Sequence, residues 1–427
     1  MGIVIKDAYA VLPEAGENKV GKHSIYIEGK DIVSIDEKPE GFSEDSVIDG
    51  KDRLVIPGLI NAHTHTYMSM MRNCADDLSF TDWLFNTIDP IEQKMTGEDA
   101  YWGSLLGQIE MIKSGTTTFN DQQMHIHNTT RAVAESGMRA VIGRGLVGNE
   151  RDLNDRRLRE ALEEMEDARL TDRLSFRLNP HAPYSCSGDY LKMVAEIAKE
   201  KGYGIHIHLA EGQVESDNML KDHNCTPTEY VRDAGIFDVP VIAAHCIRVS
   251  DSDMDILKEY GVNVVTNPIS NAKLGNGVAP VPKLLEKGVN VCLGTDGAAS
   301  NNAQNMFREM SFEALIHKAV NLTPQCVNAH EIFKMATING AKALNLQDIT
   351  GSIEKGKRAD LAILRLDVPS MVPTNDLIAA LSYSANGSEV DTVIIDGKIV
   401  MEHRELKTID EERVYHEIAE TCKRVGL

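Results

Sequence analysis

The chain has 427 residues, 42% of them hydrophobic and 26% charged, so a large core can be buried; roughly two or three units, or one large barrel with an appendage, are expected. Its formal net charge of −21, from 65 acidic and 44 basic side chains, repels phosphate backbones and argues against general nucleic-acid binding. No apolar run reaches membrane-spanning length, and the seven cysteines, with no C-x-x-C among them, read as reduced thiols of a cytoplasmic protein.

The opening MGIVIKDAYAV lacks the basic-then-apolar order of a signal peptide. Residues 1–54 contain VIKDAYAVL, HSIYIEG and DIVSID, short strands separated by turn residues. From about residue 55 to residue 350, apolar runs alternate with helical patterns. The runs are LVIPGLINAHTH, TTTFNDQ, RAVIGRG, LSFRLNPHAP, GIHIHLAE, VIAAHC, VNVVTNP and VNVCLGTDG. Most are nearly continuous in Val, Ile and Leu, as strands covered on both faces should be. Between them lie amphipathic stretches such as EDAYWGSLLGQIEMIKSG and DYLKMVAEIAKEKG. Gly115, Gly137, Gly202, Gly261 and Gly288 stand where helices should stop. Eight such units predict an α/β fold, a (β/α)8 TIM barrel over residues 57–350. Residues 352–402 return to short strands, ADLAILRL and DTVIIDGKIVMEH. Residues 1–56 and 351–405 are expected to pair into one small β-sandwich domain beside the barrel. The tail, 406–427, has helical spacing at Val414, Ile418 and Cys422.

In such a barrel, catalytic groups gather at the C-terminal ends of the strands. Strand one ends in His63 and His65, which share a face because i and i+2 do so in a strand. Strand four ends in His181, strand five in His206, His208 and Glu211, strand six in His245 and strand eight in Asp296. His63, His65, His208 and Asp296 suit a single Zn2+ or Fe2+ with a position left for water. Such an ion lowers the pKa of its water toward ~7. Asp296 can take the proton, His245 can orient the nucleophile, and Glu211 can carry a proton to a ring nitrogen and then to a departing amine. Plainer readings exist. Asp296 could cap the next helix, and Glu211 could be a helix-start carboxylate. His206 reads as a packed barrel histidine, and His125 and His127 as loop or helix-start residues. Strand four carries no lysine that could bridge two metals, which favours one ion.

PGLINAHTH, HLAE, AAHC and GTDGAASNN together resemble the amidohydrolase superfamily, over about residues 50 to 400. Within it the chain is similar to the 5-methylthioadenosine/S-adenosylhomocysteine deaminases and their 5'-deoxyadenosine deaminase relatives. The resemblance implies that His63, His65, His208 and Asp296 bind the metal, with zinc favoured over iron, and that Glu211 and His245 are the acid/base pair. It implies further that Glu92 holds the ribose hydroxyls, that Trp83 lies beside the nucleoside, and that His181 and Arg144 contact substrate. Arg156 matches an arginine that pairs with an amino-acid carboxylate, with Arg151 and Arg157 too close in sequence to separate from it. One departure is Gly212 after HLAE, where many relatives carry Thr; no ligand or proton carrier changes there.

The leading expectation is hydrolytic deamination of 5'-modified adenosines (5-methylthioadenosine, S-adenosylhomocysteine, 5'-deoxyadenosine or adenosine) to the inosine analogue and ammonia. A second reading keeps the machinery for a free base or s-triazine: guanine, oxidised guanine, cytosine, or a ring that loses chloride. Glu92 separates the two, because a free base has no ribose diol. The plain alternative for Glu92 is a solvated loop acid. A third reading is a catalytically dead binding module, against which stands the presence of all four metal ligands. The expected partner is a small nucleoside, with neither nucleic acid nor membrane; a homo-oligomer is common among such barrels.

Overall fold

In a computed structural model of the protein, which describes residues 2–167 and 171–427, eight parallel strands follow one another in sequence order around a nearly closed barrel. They are Leu59–Thr64, Thr116–Gln123, Arg139–Leu146, Leu174–Pro180, Gly204–Leu209, Val241–His245, Asn263–Thr266 and Val291–Leu293. The first, sixth and eighth are buried along their whole length, which is why they read as unbroken rather than alternating runs. Intervening helices stop where expected. Ile126–Ser136 and Gly188–Lys201 end on Gly137 and Gly202, each in the left-handed conformation that glycine enters without a Cβ clash.

The eighth strand meets the first through side chain and backbone. The Asp296 N–H donates to the His63 carbonyl at 2.9 Å, and the Thr295 N–H donates to Asn61 Oδ1 at 3.0 Å. A Cβ at Gly294 would lie 2.8 Å from the His63 nitrogen and oxygen, so this approach needs glycine. One core cluster joins Ile60, Ala62, Val141, Ile242, Val265 and Cys292 to Ala341, Ala343 and Leu344, so residues around the helix Ile338–Ala343 pack against five strands of the barrel.

The chain ends do pair. They form a mixed nine-stranded sheet, joined where Arg53–Pro57 runs antiparallel to Leu361–Arg365. Barrel and sheet are fastened by charge. Arg139, on the third barrel strand, donates to Asp360 Oδ2 at 2.8 Å and to Asp396 Oδ1 at 3.3 Å, with all three side chains buried. The C-terminal helix, Glu411–Val425, brings Val425 into a cluster with Tyr67, Met68, Met71, Trp83, Ile88 and Ile91. This places the tail beneath the segment that covers the barrel mouth. Among the described residues no helix is long and apolar enough to cross a membrane, and the seven cysteines are unpaired.

Arg139→Ala leaves the buried Asp360 carboxylate without its guanidinium, while Asp396 keeps Lys30 at 3.2 Å and Arg358 at 3.6 Å. We expect it to cost about 3–5 kcal/mol of stability, read as a lower urea midpoint, with residual activity of the folded fraction unchanged.

Candidate active site

The first strand delivers His63 and His65 to its C-terminal end, and the fifth delivers His206 and His208. Protons on these rings are placed by their neighbours. His65 Nδ1 faces the Gln122 carbonyl at 2.9 Å and His208 Nδ1 faces the His181 carbonyl at 2.8 Å. A carbonyl only accepts, so both rings carry their proton on Nδ1 and turn a bare Nε2 inward. These two Nε2 atoms are 3.3 Å apart. Asp296 Oδ1 lies 3.3 Å from His63 Nε2 and 3.3 Å from His65 Nε2. A tetrahedron with all edges of that length would have its centre about 2.0 Å from each corner, so this spacing is compatible with zinc bonds to imidazole nitrogen and carboxylate oxygen. His63 Nε2 and His245 Nε2 are buried without a hydrogen-bond partner. One donor atom from each of His63, His208, His245 and Asp296 falls within 4.8 Å of the others. His63, His65, His208 and Asp296, with His245 facing them, therefore fit one divalent cation.

The rings are poised for that role. Burial pushes His63 down to about 4 and His181 down to about 3, and it holds His206 and His208 well below the usual histidine range. All stay neutral, with lone pairs available, near pH 7. Burial alone would raise Asp296, but the imidazoles packed against it, His63 at 3.3 Å foremost, outweigh burial and hold the carboxyl well below the ordinary carboxylate value. Burial also works to lower His245, and the facing carboxylates of Glu211 and Asp296 outweigh it, leaving the ring raised.

A second layer orients these groups. His63 Nδ1 lies 2.8 Å from His206 Nε2. His245 Nδ1 donates to Asn271 Oδ1 at 2.8 Å, which leaves its Nε2 toward the cluster, 3.9 Å from Glu211 Oε1. Asp296 Oδ2 accepts from the hydroxyls of Ser270 at 2.7 Å and Ser300 at 2.8 Å, and Oδ1 accepts the Gly297 N–H at 2.8 Å. Glu215 accepts the Ala210 N–H at 3.2 Å and the Glu211 N–H at 2.7 Å, clamping the turn that presents Glu211. Burial raises the Glu211 carboxyl. Ala210, His245 and Asp296 have φ of 49°, 73° and 62°. Three strand ends thus leave through left-handed backbone, a strain of about 1–3 kcal/mol each that accumulates at functional sites.

A cavity of about 490 Å³ opens from this cluster. Trp83, Glu92 and His181 line it. Trp83 and Glu92 come from a helical cover, a π-helical turn over Asp82–Ile88 that continues into Asp89–Glu92. The Trp83 indole N–H donates to the Ala299 carbonyl at 3.2 Å, tying the cover to the loop after strand eight. Glu92 is buried and raised by that burial, and the Tyr67 hydroxyl donates to its Oε1 at 2.5 Å.

The arginines depart from expectation. Arg144 does not line the cavity; its guanidinium is 2.8 Å from Glu160 and 3.6 Å from Glu164. Arg156 also lies outside the cavity lining, 75% exposed and 3.6 Å from Glu160. Both are drawn off by acids of the helix Arg156–Asp167. Arg157, one residue farther round that helix, lines the cavity, while Arg151 pairs with Glu196 at the surface. Tyr67 and Tyr184 also line the cavity, and neither they nor Glu215 stand out in the sequence as candidates. For Glu215 the signal was available: a second glutamate one helical turn after Glu211.

An Amidohydrolase family model matches residues 54–400. The chain is 47% identical over 428 residues to a 5-methylthioadenosine/S-adenosylhomocysteine deaminase of Thermoanaerobacter pseudethanolicus, covering 100% of this chain and 99% of that protein. It is 46% identical over 410 residues to a 5'-deoxyadenosine deaminase of Methanocaldococcus jannaschii, covering 93% and 96% of the two chains. Among solved structures, an adenosine deaminase from Xanthomonas campestris with bound zinc superposes with a TM-score of 0.94 at 29% identity, over 99% of this chain and 98% of that one.

We expect the purified protein to carry one divalent cation per chain. His65→Ala should abolish stoichiometric retention, and Ser270→Ala should weaken metal affinity by about 10–100-fold, both read by elemental analysis after dialysis against graded chelator.

Proposed function

The chain belongs to the amidohydrolase family, and on that premise we propose that it deaminates the adenine ring of 5'-modified adenosines hydrolytically, releasing ammonia and the inosine analogue. One observation carries the reading. A single cavity is lined both by the histidine–aspartate cluster with Glu211 and by the buried carboxylate of Glu92, hydrogen-bonded to a phenol. A carboxylate can accept from both hydroxyls of a ribose at once, and a free base offers no such diol. The near-equal length and high identity to the deaminases above support the same substrate class.

We assign the cation to His63, His65, His208 and Asp296, with zinc favoured and iron(II) compatible with the same ligands. When bound, it supplies the Lewis acidity that makes water a nucleophile at neutral pH. The protein's own groups then manage the protons. Glu211 takes one proton from the attacking water and gives it to N1 of the purine, which makes C6 electrophilic. His245 Nε2 orients the water oxygen as it bonds to C6. Asp296 Oδ1 takes the second proton, which leaves on the exocyclic nitrogen as the C6–N bond breaks. One water is consumed, and its two hydrogens end on N1 and on ammonia. Trp83 and His181 flank the base and sugar, and Arg157, rather than Arg144 or Arg156, stands where it can meet an anionic 5' group. Unpaired cysteines fit a reducing compartment, so we place the activity in the cytoplasm.

Ultraviolet assay of a nucleoside panel tests this directly. Adenosine, 5'-deoxyadenosine, methylthioadenosine and S-adenosylhomocysteine should include the best substrates, ahead of guanine and cytosine. Glu211→Gln should lower turnover by about 10^2–10^4-fold with metal content intact; an unchanged rate would remove its proton-carrier role. Glu92→Ala should raise the KM for the adenosines, and an unmoved KM would point to a free-base substrate.

A further inference from the structure

Tyr67 stands two residues after His65, in a 3-10 turn over Thr66–Met71 that begins as the first barrel strand ends. Its side chain is 3% exposed and lines the cavity. Its backbone is held from behind, because the helix Gly97–Lys113 passes so close that a Cβ at Gly103 would lie 2.4 Å from the Tyr67 carbonyl oxygen. Its ring stands edge-on to His65, with centroids 6.4 Å apart. The phenol therefore leaves a rigid base next to the cluster and reaches across to Glu92 Oε1 on the helical cover. The cover is also tied down by the Trp83 indole bond to the Ala299 carbonyl.

A glutamate has three side-chain torsions, and the last is soft. A carboxylate free to turn meets a pair of hydroxyls in many orientations, few of them bidentate. One phenol on Oε1 fixes the plane of the group. It leaves Oε2 and the second lone pair of Oε1 to accept. Because the phenol is anchored at the strand that carries His63 and His65, it also sets how far that carboxylate stands from the cluster. Holding a binding group in register through a buried hydrogen bond is how neighbouring residues support a site.

We infer that Tyr67 is a positioning residue for substrate selection: it orients Glu92 so that the carboxylate takes both ribose hydroxyls at the distance that puts the purine against the cluster. This rests on the nucleoside reading above. It confines the role of Tyr67 to substrates that carry the diol.

The test compares adenosine with 2',3'-dideoxyadenosine, using the metal-loaded full-length protein and Tyr67→Phe. For adenosine, loss of the hydroxyl should raise KM about tenfold and leave kcat within about twofold. For the dideoxynucleoside, KM should not move. In a Glu92→Gln background, Tyr67→Phe should add nothing for either substrate. Tyr67→Met, which keeps bulk without the hydroxyl, should give the same selective effect, and metal content and melting temperature report whether each variant is folded. Equal losses on both nucleosides would mean a merely structural role, and no loss on adenosine would mean no role; either result overturns the proposal. A wild-type enzyme that handles the two nucleosides alike would instead overturn the diol reading of Glu92, and the role of Tyr67 with it.

Discussion

Two imidazole nitrogens 3.3 Å apart, each with its ring proton committed to a backbone carbonyl, cannot hydrogen-bond to each other. Both present lone pairs, and a carboxylate oxygen presents a third at the same spacing. Such a concentration of acceptors in a buried place is unfavourable unless a cation sits among them. The rest of the structure can be understood as what is needed to hold that unfavourable arrangement still. Strand eight must approach strand one closely enough for Asp296 to reach His63, which excludes any side chain at Gly294. Three strand ends must turn through left-handed backbone at Ala210, His245 and Asp296. Ser270 and Ser300 must hold the far oxygen of Asp296, so that the near one stays on the cluster. A fold this large can tolerate those local costs because its core, its terminal sheet and the Arg139 ion cluster are elsewhere.

Much of this was legible in the sequence, for a physical reason. Parallel strands covered on both faces leave apolar runs that are easy to see, and the barrel puts chemistry at their C-terminal ends. Polar residues that interrupt or follow such runs, as in NAHTH, HIHLAE, AAHC and GTDG, therefore carry information about place as well as type. The pairing of the chain ends was legible for a different reason: both ends carry short strands with no long helices between them. What spacing could not show was pairing between elements. Arg144 ends a strand as a binding residue would, yet Glu160 and Glu164 on the following helix occupy it. Arg156 and Arg157 differ by one step of helical phase, and that phase depends on where the helix begins. Arg156 shares a face with Glu160, four residues on, while Arg157 faces the cavity. Tyr67 was hidden for the opposite reason: a tyrosine after an apolar strand reads as core until the helical cover brings a carboxylate to its hydroxyl.

The local field at the site differs in kind from the field of the whole molecule. A net charge of −21 spreads over the exterior and keeps polyanions away. Inside the barrel mouth, burial holds four histidines neutral and raises the carboxyl of Glu211, while the imidazoles packed against Asp296 keep that carboxylate ionised in spite of burial. The cation that these ligands are arranged to take would be the largest charge in the cavity, and it acts on Glu211 in the opposite sense to burial. A carboxyl pulled both ways is suited to accept a proton early in a reaction and release it later, because neither form is strongly favoured. Geometry bears on this too: Glu215 holds the backbone N–H groups of Ala210 and Glu211, and Asn276 Nδ2 donates to Glu211 Oε1 at 3.3 Å, which keeps the carboxyl 3.9 Å from His245. The proton carrier is thus kept near the reacting atoms and off the metal position, which is the separation that a shared cavity for ion, water and nucleoside requires.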